Sequence, residues 1–261
     1  MTTLIKLGGS LITDKRKARA FRRDATRLIA SQIREIWESE PGMRLVIGHG
    51  SGSFGHFAAK THQTSGGVNS AEQWLGFTRV AEAALALSHL VLQELLVQGL
   101  PAMRFQPSSF VASADGHIVA MQSSLIAQAL ESGLIPLVHG DVALDSQIGG
   151  AIISTERLFA NLAKALPVKR IILLGEVDGV LDADGRVISS ITPANFASLR
   201  PVIGDSSGVD VTGGMLQKVE EMVELVIEVP SLEVIIANGR RPSVLTSLMR
   251  QDRRTGTRIT L

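Results

Sequence analysis

The stretch Leu4-Ile5-Lys6-Leu7-Gly8-Gly9-Ser10 sets a short apolar run directly against a glycine pair. From Arg22 to Glu38, Ile29, Ile33, Ile36 and Trp37 then recur at helical intervals. This reads as strand, glycine turn and helix, and the same order returns along the chain. Leu45-Val46-Ile47 is a second buried strand running into Gly50-Ser51-Gly52-Ser53-Phe54-Gly55, and Ile135 to His139 is another, running into Gly140-Asp141. Ala81 to Leu100 and Gln122 to Glu131 read as the intervening helices, with a short strand over Ala102 to Gln106, while residues 58 to 77 show no clear period and read as irregular cover for a ligand. Further on come a turn or hairpin over Ala143 to Ile153, a helix over Glu156 to Ala165 and a strand over Arg170 to Leu174. Asp182 to Gly185 is a turn, Met215 to Glu228 a helix, Val234 to Ala237 a strand, Arg240 to Met249 a helix and Arg258 to Leu261 a last strand. Such alternation predicts an α/β fold with a central mostly parallel sheet covered on both faces, a three-layer α/β/α sandwich. Sheets of this kind bind ligands beyond the carboxyl ends of their strands, where the glycine loops fall.

The 261 residues fit one domain with two lobes, about 1–165 and 166–261, because no linker divides the chain. Lys and Arg total 26 against 25 Asp and Glu, a formal charge of +1, so the overall balance gives general nucleic-acid binding no support. Residues 15 to 34 do hold eight basic residues and one acidic, but Phe21 is the only aromatic among them. A solvated helix face with Lys15 turned toward an acidic ligand explains the run more cheaply. There is no cysteine, which excludes disulfides, thiolate nucleophiles and Cys-ligated metals. The start lacks a signal-peptide pattern and no run reaches about 18 uncharged apolar residues, so a soluble, cytoplasmic protein is expected.

Chemistry must come from carboxylates, lysines, histidines and backbone amides, and 25 glycines make the amides serious candidates. Gly8-Gly9-Ser10 could let backbone approach an oxyanion while Lys6 and Lys15 neutralise phosphate, or could be a tight turn beside surface lysines. Gly50 to Gly55 literally satisfies G-x-G-x-x-G after a strand, with Glu72 about twenty residues on, but the adjoining segment with His56, His62, Gly66 and Gly67 does not read as a clean helix leading to a second strand. An anion loop fits better, with its two flanking histidines, His49 and His56, able to donate to phosphate oxygens, His56 the better placed because it directly follows the last glycine. Asp141 and Asp145 could orient a lysine, a water or magnesium, or simply serve turns. Asp178-Gly179 could line a nucleotide edge. Asp210-Val211-Thr212-Gly213-Gly214-Met215 opens a helix whose free N–H groups could meet phosphate, with Lys218 projecting from about its first turn. Lys6, Lys15 and Lys218, from distant segments, could clamp the charge that develops in phosphoryl transfer.

In this order, these motifs resemble the amino acid kinase superfamily over nearly the whole chain, and within it are most similar to the isopentenyl phosphate kinases. The resemblance implies ATP-dependent phosphorylation of isopentenyl phosphate to the diphosphate, with Mg2+, in a homodimer. It implies that Lys6, Gly8, Gly9, Ser10, Gly52, Asp178, Gly213 and Lys218 meet ATP, with Lys15 at the phosphates. Ser51, Gly55, His56 and Thr155 would meet the acceptor, and Lys6, Lys15, His56 and Lys218 would carry the chemistry. The 76 to 90 helix would line the pocket for the apolar tail, through Phe77, Val80 and Ala84. The chain departs from the family pattern at Ser154-Thr155-Glu156, in place of Ser-Gly-Asp, and at Gly175-Glu176, in place of Thr-Asp. Either a hydroxyl contact compensates at Thr155 or the acceptor differs. A fosfomycin kinase is the nearest alternative within the fold, and a nicotinamide oxidoreductase or a non-catalytic nucleotide-binding module lies outside it.

Overall fold

A computed structural model describes residues 1–64, 66–203, 214–250 and 255–261. The first half runs β1 (Thr2–Leu7), α1 (Gly9–Ile12), α2 (Arg23–Ser39), β2 (Arg44–His49), α3 (Gly52–His62), α4 (Ala71–Val97), β3 (Ala102–Arg104), β4 (Val111–Ala114), β5 (His117–Met121), α5 (Ser123–Glu131) and β6 (Ile135–His139). The second runs β7 (Asp141–Asp145), β8 (Gly149–Ile153), α6 (Thr155–Ala165), β9 (Val168–Gly175), β10 (Ser190–Ile191), α7 (Pro193–Leu199), α8 (Gly214–Glu228), β11 (Glu233–Asn238), α9 (Val244–Met249) and β12 (Thr257–Ile259).

Eight strands form the central sheet in the order β10-β12-β11-β9-β1-β2-β6-β3, parallel at every pairing except β11 with β12. The sheet is continuous across residue 165, because β1 pairs β2 on one side and β9 on the other. A second sheet, β5-β4-β7-β8, flanks it.

Strand alternation decides what each face buries. Leu4, Ile171, Leu173, Val234 and Ile236 pack with residues of α6 and α8 in one core. Ile5, Leu7, Ile172, Leu174, Ile235 and Ala237 pack with residues of α2, α4 and α9 in the other. Ile29, Ile33 and Ile36 are the buried stripe of α2, each stabilising the fold by roughly 1.5–3 kcal/mol relative to exposure. Lys6 has the parity of Leu4, so it emerges on the α6 and α8 face at the carboxyl end of β1.

Two of these readings change, and one element goes unread. Much of 58–77 is helical: α3 extends to His62 and α4 begins at Ala71, its N-cap Ser70 accepting from the Gln73 amide. Gly76 blurs the helical pattern, yet a Cβ there would lie 2.5 Å from Cβ of His62, so the glycine is what lets α3 and α4 approach. The β4–β5 hairpin leaves little trace in the sequence because its strands are only four and five residues long and β5 has no buried residue to mark an inward face. The last helix is shorter than its sequence pattern suggests, beginning at Val244.

An 18-residue window of α4 has a mean hydropathy of 1.6, long and apolar enough by composition to cross a membrane, the one such helix among the described residues. Phe77, Val80, Ala84, Leu87 and Val91 from this helix are buried within the protein.

Candidate active site

Beyond the carboxyl ends of β1, β2, β6 and β9 lies a cavity of about 520 Å³, within the range of small-ligand sites. Its lining includes Lys6, Gly8, Gly9, Ser10 and Lys15 from the first loop, and Ser51, Gly52, Gly55 and His56 from the second. Thr155, Glu156 and Lys218 complete its polar wall, and Ala59, Val80 and Ala84 lie on its apolar side. Of the residues read as site candidates, Asp145 is not in this lining, its carboxylate accepting from the backbone amides of Asp115, Gly116, Gln147 and Ile148, and neither is Asp178. Its carboxylate accepts from Asn238 Nδ2 at 2.9 Å and from Arg241 Nε at 2.8 Å, and those bonds, the arginine's first, hold it below the usual carboxylate range. Thr212 and Gly213 lie outside the described residues. Phe77, also read as a tail-pocket residue, is buried and packs under Gly150.

The two glycine loops touch backbone to backbone. A Cβ on Gly9 would sit 2.7 Å from Gly52 Cα, and one on Gly52, where φ is +48°, would sit 2.3 Å from Thr13 Oγ1. Thr13 bridges them, donating to Gly9 O at 2.6 Å and accepting from the Ser53 amide at 2.9 Å. Bulkier residues would force the loops apart, so glycine here serves close approach.

Three charges make the clamp. Lys6 is buried and pairs with Glu156 in the first turn of α6; Lys218 Nζ, from α8, lies 3.7 Å from the same Glu156 oxygen. Burial favours the neutral carboxyl, but Lys6 and then Lys218 outweigh it and hold Glu156 at about 2. One carboxylate therefore spaces two ammonium groups and leaves a net positive charge facing the cavity. In the sequence Glu156 stands out only as a departure from a pattern, since its proximity to Lys6 spans 150 positions.

The basic run of residues 15 to 34 is largely consumed within the protein. Arg16 pairs with Asp14, Arg19 with Glu82, Arg22 with Glu176, Arg34 with Glu38, and both Arg23 and Arg27 with the fully buried Glu94. Lys15 is the member of that run at the cavity.

The second loop does open a regular helix, contrary to the sequence reading. The dinucleotide fingerprint fails for a different reason: Glu72 lies in the first turn of α4 and not at the end of a strand beside β2, where an acid would have to meet a ribose.

Below the cavity, His49 and His139 end adjacent strands and stack with ring centroids 5.4 Å apart. Each Nδ1 lies 3.1 Å from the carbonyl of the next glycine, Gly50 or Gly140. A carbonyl only accepts, so Nδ1 carries the hydrogen in each ring. Burial, then mutual charge, pushes His49 down to about 3, and burial pushes His139 down as well. Folded, both rings stay neutral at pH values where the unfolded chain takes protons, near 6.5. Stability is therefore complete above about pH 6.5 and falls as pH drops through it, by up to about 1.4 kcal/mol per pH unit for each ring. Glu156, whose pKa is depressed, adds loss in the same direction only below about 4.5. Thermal unfolding midpoints are expected to be flat from about pH 8 to 7 and to fall steadily below about 6.5; a flat profile down to about pH 5 would show that the rings are not held neutral.

The profile of the amino acid kinase family matches residues 1–238. The isopentenyl phosphate kinase of Methanothermobacter thermautotrophicus is 33% identical over 270 aligned positions, covering 98% of each chain. That of Haloferax volcanii is 35% identical, over 85% of this chain and 87% of its own. A crystal structure of an isopentenyl phosphate kinase superposes over 100% of both chains with a TM-score of 0.83 at 31% identity.

Proposed function

The chain belongs to the amino acid kinase family, and from that membership we propose that its cavity transfers the γ-phosphoryl group of ATP to isopentenyl phosphate, giving isopentenyl diphosphate and ADP. The observation that carries this reading is one cavity holding both the His56 glycine loop and the Lys6–Glu156–Lys218 clamp. Two glycine loops, one of them ending in His56, could bind many anions. A pair of lysines spaced by a buried carboxylate is suited to charge that moves between two phosphates.

In this reading a phosphate oxygen of the acceptor attacks the γ-phosphorus in line, and the bond from that phosphorus to the β–γ bridging oxygen breaks as ADP leaves. The attacking oxygen is already anionic, so no general base is needed. Lys6 and Lys218 stabilise the equatorial oxygens of the transferred group, and Lys15 meets the phosphates from the rim. Gly8, Gly9, Ser10 and Gly52 offer backbone to ATP, with Asp178 and Gly213 assigned to the nucleotide by family likeness. Ser51, Gly55 and His56 hold the acceptor phosphate, and Ala59, Val80 and Ala84 face its apolar tail.

Among the described residues no group of three or more His, Asp or Glu could cage a metal, and Glu156 is already engaged by two lysines. That donor set fits a magnesium ion carried in by the ATP phosphates with its waters. When bound, the ion supplies further neutralisation of phosphate charge. Asp141 and Glu221 also line the cavity, and Asp141, whose buried Oδ1 has no hydrogen-bond partner, would be the carboxylate to orient one of those waters. The small phosphate substrate follows from this reading, and we propose with it a cytoplasmic homodimer without a nucleic-acid or membrane partner.

The test is a phosphate-transfer assay with MgATP across isopentenyl phosphate, dimethylallyl phosphate and fosfomycin. Turnover of the isoprenoid monophosphates is expected; turnover of fosfomycin alone would overturn the assignment. His56→Ala should raise KM for isopentenyl phosphate by about tenfold or more and leave KM for ATP within about twofold. Unchanged acceptor kinetics would remove His56 from its role.

A further inference from the structure

Thr155, expected to meet the acceptor, lies in the cavity wall, with its side chain engaged by the end of β2. It is 1% exposed, and its hydroxyl donates to the His49 carbonyl at 2.7 Å. Its methyl fills the space over Gly48, where a Cβ would come within 2.6 Å of Thr155 Cγ2. The same His49 carbonyl accepts from the Gly140 amide at 3.1 Å. His49 is the last residue of β2, directly before the loop that leads to His56. The residue after Thr155 is Glu156, the carboxylate that spaces Lys6 and Lys218. The start of α6 has its own cap, the Ser154 hydroxyl accepting from the Arg157 amide, so the Thr155 hydroxyl is not needed to begin the helix.

We propose that Thr155 is a positioning residue: acting through the His49 carbonyl, its hydroxyl fixes the register between the His56 loop and the Lys6–Glu156–Lys218 clamp. That register sets how the acceptor phosphate lines up with the group being transferred. Chemistry of this kind is sensitive to such alignment, because a displacement of about 1 Å can cost on the order of a hundredfold in rate. The proposal rests on reading the cavity as a kinase site.

Two substitutions separate the hydroxyl from the methyl. Thr155→Val keeps the branched shape over Gly48 and loses the donor; Thr155→Ser keeps the donor and loses the methyl. Thr155→Val is expected to lower kcat/KM for isopentenyl phosphate by about three- to tenfold, the scale of one hydrogen bond, with KM for ATP within about twofold of the parent. Thr155→Ser should recover to within about twofold of the parent. The proposal is overturned by a Val variant with parental kcat/KM, by a Ser variant as impaired as Val, or by an equal rise in KM for ATP, which would indicate general loosening. The parent enzyme assayed alongside distinguishes the two levels. If it ignores isopentenyl phosphate, the acceptor assignment fails, and the Val and Ser comparison is read with whichever phosphate or phosphonate the parent does use.

Discussion

Replacing Lys6 by Met should lower kcat with isopentenyl phosphate and MgATP by about 10²- to 10³-fold, the range seen when one preorganised charge-stabilising donor is removed. Lys6 is 8% exposed at the end of β1. It cannot swing away, and water reaches it poorly, so its charge acts at close range in a site of low effective dielectric. Met matches its length and leaves β1 packed. Glu156 keeps Lys218 as partner at 3.7 Å, so the fold retains a counter-charge and the loss should fall on turnover. Steady-state kinetics at saturating substrates check this, with the unfolding midpoint as control. A change in kcat of less than about fivefold would mean that Lys6 only balances Glu156.

Removing the carboxylate is the opposite experiment, and its main effect is on stability. Glu156→Ala leaves the ammonium groups of Lys6 and Lys218 on one side of the cavity without the charge between them. Their side chains are 10% and 28% exposed, so solvent screens Lys218 in part and Lys6 little. Breaking a buried pair in this way costs about 3–5 kcal/mol, and Lys218's partial exposure places the expected loss toward the lower end. Turnover should fall as well, because unpaired lysines no longer hold their spacing. ATP brings negative charge to the same two groups, so its addition should raise the unfolding midpoint of the variant by more than it raises that of the parent. Glu156→Asp, one methylene shorter, should retain stability better than Ala while losing part of the rate. An unchanged midpoint together with near-parental turnover for Glu156→Ala would refute the clamp.

The division between what is legible in the sequence and what is not runs with the range of the interaction involved. The strands before Gly8, Gly50 and Gly140 are readable because apolar runs ending in glycine are local patterns. Their parallel pairing is implied by the helices between them. The segment around Gly76 misleads because a glycine that serves close packing of α3 and α4 looks, in one dimension, like a helix breaker. The basic run after Lys15 suggests an exposed charged face because its partners Glu82, Glu94 and Glu176 lie far away in sequence. Thr155 is visible as a position of interest, but the direction of its hydroxyl is not.

By itself, the sequence determined the class of fold and which residue types could do chemistry: lysines, one loop histidine and glycine-borne amides, with no thiol. It also determined the parity of β1, and hence that Lys6 shares a face with Leu4. Only the tertiary structure decided that this face is the one covered by α6 and α8, so that Glu156 and Lys218 meet Lys6. Only it showed that the Thr155 hydroxyl turns inward to His49. The reason is physical: local patterns record which side of a strand or helix is buried, whereas an ion pair spanning 150 residues exists only once the sheet has set both ends side by side.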